Sequence, residues 1–133
     1  MSSQSKANAP RLGELESDLL HHLWQVDEAT AKTAHEAIGQ ARGVSLNTIQ
    51  STLDRLYRKG LLARRKVSRA FQYSSAVTRS SLLAALVSDS ARRFGGDTAS
   101  TMSALVDAAE ALDDQALDAL QQLIEARRSE RQH

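Results

Sequence analysis

The apolar residues in the first half of the chain recur every three or four positions, which is the spacing of amphipathic helices. The first such run extends from Leu12 to Val26, with charged residues and histidines between its leucines. The turn Asp27–Thr30 separates it from a second, shorter run, and Gly43 separates the second run from a third. The pattern therefore predicts three helices in succession.

Residues with capping preferences mark the ends of these helices. Thr33, followed three residues later by Glu36, predicts a capping box at the start of the second helix. Ser45 predicts the N-cap of the third helix. The third helix is expected to run to about Lys59, with Gly60 as the residue that ends it. Along this helix one face is apolar and consists of Ile49, Leu53 and Leu56.

After Gly60 the pattern changes to the two-residue alternation of strands. Two short strands, 61–67 and 70–74, are predicted around a tight turn at Ser68 and Arg69, with Phe71 and Tyr73 on one face. Because an isolated hairpin is marginally stable in water, it must pack on the preceding helices. Three helices followed by a hairpin form a winged helix-turn-helix.

From about residue 78 the helical pattern returns, as three short helices that each carry one apolar face. Gly95–Asp97 separates the first from the second. Three such helices make a small core, but two copies of the chain would bury these faces together, so a dimerisation role is predicted. Packing against the rest of the same chain is the alternative. The residues expected at the dimer interface are Leu82, Leu83, Leu86, Val87, Phe94, Met102, Leu105, Val106, Leu117, Leu120, Leu123 and Ile124.

The predicted fold is therefore mainly α with a small β-hairpin wing, a winged helix-turn-helix followed by a helical dimerisation unit. Three regions are expected along the chain. Residues 1–10 form a disordered arm, residues 11–77 a winged helix-turn-helix DNA-binding domain, and residues 78–133 a three-helix dimerisation region.

Positive charge is concentrated in one segment, although the chain as a whole is nearly neutral. The 17 basic and 16 acidic residues give a formal net charge of +1, yet eight basic residues lie between positions 42 and 77 with only Asp54 against them. Both flanking segments are net acidic. Phosphate recognition requires such a concentration, because each neutralised phosphate releases bound counterions. A solvated basic face accounts for it equally well.

The third helix and the hairpin carry the residues expected to contact DNA. The N-terminal half of the third helix is expected to enter the major groove, where base edges are within reach of Asn47, Thr48, Gln50 and Ser51. The residues expected to contact phosphates are Ser45, Arg55, Arg58, Arg64, Arg65, Lys66 and Arg69. Helix capping and solvation are the alternative roles of Ser45, Thr48 and Ser51. Asp54 is expected to pair with Arg58 one helical turn away.

The amino-acid composition excludes several classes of function. The chain has no Cys, which excludes disulfides, thiolate metal sites, Fe–S clusters and a cysteine nucleophile. The adjacent His21 and His22 diverge on a helix, and no glycine-rich phosphate loop is present, so no catalytic site, metal or cofactor is predicted. No apolar run approaches the roughly 18 residues that cross a bilayer, and no signal peptide is evident. A cytoplasmic protein without a membrane partner is expected.

Two other functions remain open on this evidence. A small-molecule-responsive regulator would share the DNA-binding part and hold a ligand among its C-terminal helices. A helical adaptor would bind another protein and would not bind DNA. Salt-dependent affinity for random duplex DNA separates a DNA-binding protein from an adaptor or an enzyme.

Several stretches of the sequence resemble one family of regulators. They are Leu12–Glu16, Leu23–Trp24, Thr48–Gly60, Phe71–Ser74 and Gly95–Asp97. Together, over about residues 12–125, they resemble the penicillinase repressor family, which includes the β-lactamase, methicillin-resistance and copper-responsive repressors. The resemblance implies a homodimeric repressor that occupies a palindromic, inverted-repeat operator on double-stranded DNA and blocks transcription.

The sequence departs from this family in two places. Copper-responsive members carry paired cysteines near the C-terminus, and this chain has none. Members that respond to β-lactams are cut by a regulatory protease at an Asn-Phe bond in the helix after the Gly-Gly pair, whereas the corresponding stretch here is 103–106, Ser-Ala-Leu-Val. Release by such a regulatory protease is therefore unsupported by the sequence.

Overall fold

The computed structural model describes residues 12–132. The disordered arm expected at residues 1–10 lies outside the described residues. The first helix, α1, is Glu14–Val26, and the third, α3, is Leu46–Arg58. Between them, α2 consists of the contiguous segments Ala31–Ala34, His35–Gly39 and Gln40–Arg42, the middle one a π-helical turn. The remaining elements are β1 Leu62–Val67, β2 Ala70–Ser75, α4 Arg79–Phe94, α5 Thr98–Leu112 and α6 Ala116–Arg131. This order confirms the mainly helical fold with a β-hairpin.

The chain divides into two compact units, of which the first ends at Asp89 and the second begins at Ser90. The division falls inside α4, and Leu82 and Leu86 of that helix pack against the core of the first unit. Both leucines were predicted at a dimer interface. Leu82 is only 7% exposed, so its own chain already covers most of its side chain.

The core of the first unit is formed mainly by α1 and α3. The apolar face predicted for the third helix is confirmed, because its three residues are fully buried. They join the α1 leucines in one cluster, whose fully buried large apolar side chains are Leu19, Leu20, Leu23, Ile49, Leu53 and Leu56. Burial of each such side chain contributes about 1.5–3 kcal/mol, so this cluster is the main stabilising feature of the unit.

The second helix begins one turn earlier than the sequence predicted. Its N-cap is Thr30, whose hydroxyl accepts the backbone N–H of Thr33 at 3.1 Å, while the Thr33 hydroxyl accepts the N–H of Thr30 at 3.0 Å. The capping box expected from Thr33 and Glu36 was therefore wrong. Since Thr30 has extended backbone angles and Thr33 fits the N3 position, these two threonines satisfy each other's N–H groups.

Close packing accompanies the π-helical turn of α2. A Cβ on Gly39 would lie 2.6 Å from the His35 ring and 3.1 Å from Ile49, so only glycine fits between them. The His35 ring nitrogen Nε2 lies 2.9 Å from the Val44 carbonyl oxygen. The turn between α2 and α3 is thereby fixed beside the N-terminus of α3.

The hairpin has the predicted strands and turn. β1 and β2 are antiparallel, with Arg64 opposite Tyr73 and Lys66 opposite Phe71. The positive φ of 60° at Ser68 suits the first central residue of a two-residue hairpin turn. Ala29 extends the pairing, since it and Tyr73 exchange backbone hydrogen bonds of 3.0 and 2.8 Å. This bridge ties the hairpin to the loop between α1 and α2, as the packing requirement predicted.

The second unit contains the end of α4 together with α5 and α6. Asp97 caps α5 by accepting the Ser100 N–H at 2.7 Å, which confirms a helix break at Gly95–Asp97. No residue of α5 or α6 is buried. No described helix combines the length and apolar character needed to cross a membrane.

Candidate nucleic-acid interface

The N-terminal half of α3 presents polar side chains on the side opposite its core face. Ser45 is the N-cap, as predicted, and its hydroxyl accepts the Thr48 N–H at 3.1 Å. The Ser51 hydroxyl donates to the Thr48 carbonyl at 3.2 Å. Within residues 12–132 the side-chain amides of Asn47 and Gln50 have no hydrogen-bond partner, and both residues are exposed. Their donors and acceptors are therefore available to base edges.

Two cations of the basic segment are held by carboxylates of α1. Arg42, at the end of α2, pairs with Asp18 and, at 3.7 Å, with Glu14. The Lys59 Nζ lies 2.7 Å from Oε2 of Glu16. Both contacts join the end of a helix to α1. They also neutralise two of the positive charges that were counted in the basic segment 42–77. No local pattern indicated these pairs, because their partners lie 24 or more positions earlier in the chain.

Asp54 lies between two further cations. Its carboxylate accepts from Arg58 Nε at 2.9 Å and from Arg64 Nη1 at 3.0 Å. The predicted pairing of Asp54 with Arg58 is confirmed. The bond to Arg64 was not predicted, and it connects α3 directly to β1.

The guanidinium of Arg64 also lies close to two aromatic rings. Its Cζ atom is 3.9 Å from the ring centroid of Tyr57 and 4.2 Å from that of Phe71. Tyr57 belongs to α3 and Phe71 to β2, so three elements meet at this side chain. The alternation in the sequence predicted Phe71 and Tyr73 on one face, and their ring centroids are 6.2 Å apart. The same pattern assigned no role to Tyr57.

Arg65 is held by a carboxylate from the loop before α2. Its Nε and Nη2 each donate to Glu28 at 2.9 Å, one to each carboxylate oxygen. These bonds lower the pKa of the Glu28 carboxyl and raise the pKa of Arg65. The pair is largely exposed, with the Arg65 side chain 66% accessible, so a phosphate in solution can compete for this guanidinium.

Three cations of the segment have no ion pair within the described part of the chain: Arg55, Lys66 and Arg69. Arg55 donates from Nη2 to the Thr52 hydroxyl at 3.2 Å. Lys66 lies at the end of β1, 5.9 Å from the Phe71 ring centroid, and Arg69 lies in the hairpin turn. All three are exposed. The wing therefore carries its unpaired positive charge at its tip.

Among residues 12–132 no three or more His, Asp or Glu side chains are grouped so that they could hold a metal ion. The polar groups of this surface are amides and hydroxyls on α3 and guanidinium and ammonium groups on the wing. Such groups recognise base edges and phosphates.

Comparison with known proteins identifies the family of this chain. Residues 12–126 match the family described as Penicillinase repressor. The transcriptional regulator BlaI of Mycobacterium tuberculosis is 31% identical over 119 residues, which cover 89% of this chain and 86% of that protein. The methicillin resistance regulatory protein MecI of Mammaliicoccus sciuri is 32% identical over 71 residues, which cover 53% of this chain and 58% of that protein.

A solved structure matches about half of the chain. The solution structure of the DNA binding domain of the repressor BlaI aligns with a TM-score of 0.50 and 25% identity, over 55% of this chain and 89% of that one. The family match extends beyond this domain and covers most of both units. The resemblance seen in the sequence is thus confirmed, and the chain belongs to the penicillinase repressor family of transcriptional repressors.

Proposed function

We propose that this protein represses transcription by binding as a homodimer to an inverted-repeat operator on double-stranded DNA. The observation that carries the DNA-binding part is the exposed N-terminal half of α3, where the Asn47 and Gln50 amides have no partner among the described residues. Membership of a repressor family supports the mode of action. Two recognition helices related by a two-fold axis would read half-sites separated by about one helical turn or a multiple of it.

The residues divide into those that select sequence and those that add affinity. Base edges are the proposed targets of Asn47, Thr48, Gln50 and Ser51. Phosphates are the proposed targets of Ser45, Arg55, Arg58, Arg65, Lys66 and Arg69. The largest electrostatic share belongs to Arg55, Lys66 and Arg69, because none of the three has an ion pair within the described residues that would compete with DNA.

Fluorescence anisotropy with duplex DNA over a range of salt concentrations tests the phosphate contacts. Each of Lys66→Gln and Arg69→Gln is expected to reduce the slope of log affinity against log salt by about one unit per protomer and to weaken binding to all sequences alike. Arg42→Gln is the matched control, because Arg42 is paired with α1 carboxylates and should leave the slope unchanged. Affinity that is absent, or independent of salt, would contradict the proposal.

Sequence selection is tested with the same assay on operator and scrambled duplexes. Gln50→Ala is expected to cost about 1–3 kcal/mol on the operator and little on scrambled DNA, with an unchanged salt slope. A footprint on the DNA that flanks the gene supplies the operator for this assay. An equal loss on both duplexes would remove Gln50 from the residues that select sequence.

The proposed homodimer rests on apolar side chains that the chain itself leaves uncovered. Phe94 is 88% exposed, Leu123 64% and Leu83 50%. Soluble proteins rarely leave large apolar side chains exposed in such number, so these residues support an interface with another copy. Further exposed residues of the predicted interface are Val87, Met102, Val106, Leu117 and Ile124.

Sedimentation equilibrium tests the dimer. The wild-type chain is expected to sediment as a dimer at micromolar concentration, and Leu123→Asp is expected to shift it to monomer, because a carboxylate would be buried without a partner. Glu125→Gln on the same helix is the control, since Glu125 is exposed and polar. A monomeric wild-type protein would refute the dimer while leaving DNA binding by single chains open to test.

A further inference from the structure

The contacts of Arg64 differ from those of every other cation on the wing. We propose that Arg64 is a positioning residue that fixes the hairpin against α3, and that it does not act as a phosphate contact, although its sequence position suggested that role. This inference rests on the proposed function for its DNA measurements. Its structural part is independent of DNA.

Two aromatic rings lie against the Arg64 guanidinium. The ring centroids of Tyr57 and Phe71 lie 3.9 and 4.2 Å from Cζ, well within the roughly 6 Å at which a cation is attracted to an aromatic face. A phosphate must approach in the plane of the guanidinium to accept two hydrogen bonds. On the Nη1 side that plane is already occupied by the Asp54 carboxylate at 3.0 Å.

Burial separates Arg64 from its neighbours. Its side chain is 24% exposed, whereas that of Arg65 is 66% and that of Arg58 is 77% exposed. Arg65 and Arg58 can therefore exchange their carboxylates for phosphates in water. Arg64 would have to leave two aromatic rings and a carboxylate to do the same.

The partners of Arg64 come from different elements. Asp54 and Tyr57 lie on α3, Phe71 lies on β2, and Arg64 itself lies on β1. A two-stranded hairpin has little stability of its own, so its orientation depends on such contacts with the helices. Lys66 is two residues further along β1, opposite Phe71, and Arg69 follows in the turn. The contacts of Arg64 thus determine where these two cations are placed relative to α3.

Lysine cannot replace arginine in this arrangement. An ammonium group keeps the charge but has neither the planar faces that stack against aromatic rings nor the fixed fork of N–H donors. Arg64→Lys therefore separates the two possible roles. A phosphate contact would largely survive the change, and a stacked positioning residue would not.

The experiment compares Arg64→Lys, Arg64→Gln and Tyr57→Leu in the full chain, with Lys66→Gln as the control. All three are expected to lose about tenfold in operator affinity at one salt concentration, because a looser hairpin must be ordered on binding. The salt slope is expected to stay at the wild-type value, because Lys66 and Arg69 still reach the phosphates in the complex. Lys66→Gln is expected to lower the slope by about one unit per protomer. Tyr57→Leu removes one ring without changing any charge, and it keeps the test valid if the Arg64 variants fold poorly.

Hydrogen–deuterium exchange without DNA gives the second measurement. Amides of residues 62–75 are expected to exchange about tenfold faster in the three variants, with α1 unchanged, and Lys66→Gln is expected to behave as wild type. The proposal is overturned if Arg64→Lys binds like wild type while Arg64→Gln lowers the salt slope by about one unit per protomer. It is also overturned if hairpin exchange is unaffected. A wild-type chain that does not bind DNA would refute the proposed function alone, because the exchange measurement still decides the role of Arg64.

Discussion

The two units of this chain bury their apolar residues very differently. In the first unit α1 and α3 contain six large apolar side chains that are at most 1% exposed. In the second unit no described residue of α5 or α6 is buried, and Leu112 is 79% exposed. The first unit completes a core within one chain. The second has the same kind of amphipathic helices without a core, so its apolar faces are suited to association with another copy.

This difference predicts its largest effect on the free energy of unfolding, in a comparison of two leucine variants, one in each unit. Leu53→Ala removes a fully buried side chain and is expected to destabilise the first unit by about 2–5 kcal/mol. Leu123→Ala removes a side chain that is 64% exposed and is expected to change the unfolding of a single chain by less than about 1 kcal/mol. Urea unfolding at low protein concentration measures both. Similar losses in the two variants would contradict the contrast between the units.

Truncating the chain within α4, where the two units divide, tests the difference between the units further. A chain ending at Asp89 keeps Leu82 and Leu86, which pack on the core of the first unit, and is expected to unfold cooperatively as a monomer. A chain ending at Val77 loses both leucines and is expected to be less stable by about 2–4 kcal/mol. Thermal unfolding followed by circular dichroism compares the two.

The chain that ends at Asp89 also tests the link between dimerisation and DNA binding. Its operator affinity is expected to fall by about 10² or more, because two half-sites are no longer bound by linked domains. A dimeric truncate would show that the second unit is not needed for association. A truncate ending at Val77 that is as stable as the longer one would show that the N-terminal half of α4 does not belong to the first unit.

A smaller effect on stability is expected at Glu16, which connects α1 to the end of α3 in the first unit. Burial acts to raise the pKa of Glu16, but bonds from Lys59 and from the Gly13 N–H outweigh it and leave the pKa below its ordinary value of 4.5. A lowered folded-state pKa contributes stability that is present above the unfolded value and is lost as the pH falls through the folded value.

Glu16→Gln is therefore expected to lower the free energy of unfolding by about 1–2 kcal/mol at neutral pH. The difference from wild type is expected to shrink as the pH falls below 4.5, since the wild-type carboxylate is then protonated. Urea unfolding of the variant and the wild type at pH 7 and at about pH 3 measures this difference in the free energy of unfolding. Glu14→Gln is the control, because the Glu14 side chain is 95% exposed and its contact with Arg42 is long. A pH-independent difference would mean that the loss comes from packing.

Features that depend on neighbouring residues were predictable from the sequence. The Ser45 cap, the left-handed Gly43 and Gly60, and the apolar face of α3 all follow from local preferences, and all are present. The hairpin is equally local, because alternation and a two-residue turn determine its register. The start of α2 was misplaced because Thr33 with Glu36 matches the capping-box pattern, whereas the cap that forms, Thr30 with Thr33, lacks the acidic or amide residue of that pattern.

Features that depend on residues distant in the sequence were not predictable. The bonds from Lys59 to Glu16 and from Arg65 to Glu28 span 43 and 37 positions, and they redistribute the charge that defined the candidate site. The amphipathic pattern of α4 is the same on both sides of Asp89, so it could not show that one half joins the first core. Spacing gives the apolar face of a helix but does not identify what covers it.

The smallest expected effect on stability comes from the backbone conformation of one residue in the first unit. Asp27 has φ 72° and ψ −53°, and the flanking Glu28 N–H donates to the Val26 carbonyl at 2.8 Å. These angles and this bond form a γ-turn with positive φ, which is strained for a residue with a Cβ. The turn leads directly into Glu28, the partner of Arg65, and into Ala29, which pairs with the hairpin.

Asp27→Gly is expected to stabilise the first unit by about 0.5–1 kcal/mol, because relief of strain exceeds the extra flexibility of glycine in the unfolded chain. Asp27→Ala keeps the Cβ and removes the same carboxylate, so it is expected to give no gain. Thermal unfolding of both variants measures the difference, and sedimentation should show unchanged association because the second unit is untouched. A gain in both variants would assign the effect to the lost negative charge. A loss in the glycine variant would mean that the γ-turn carries little strain and that flexibility dominates.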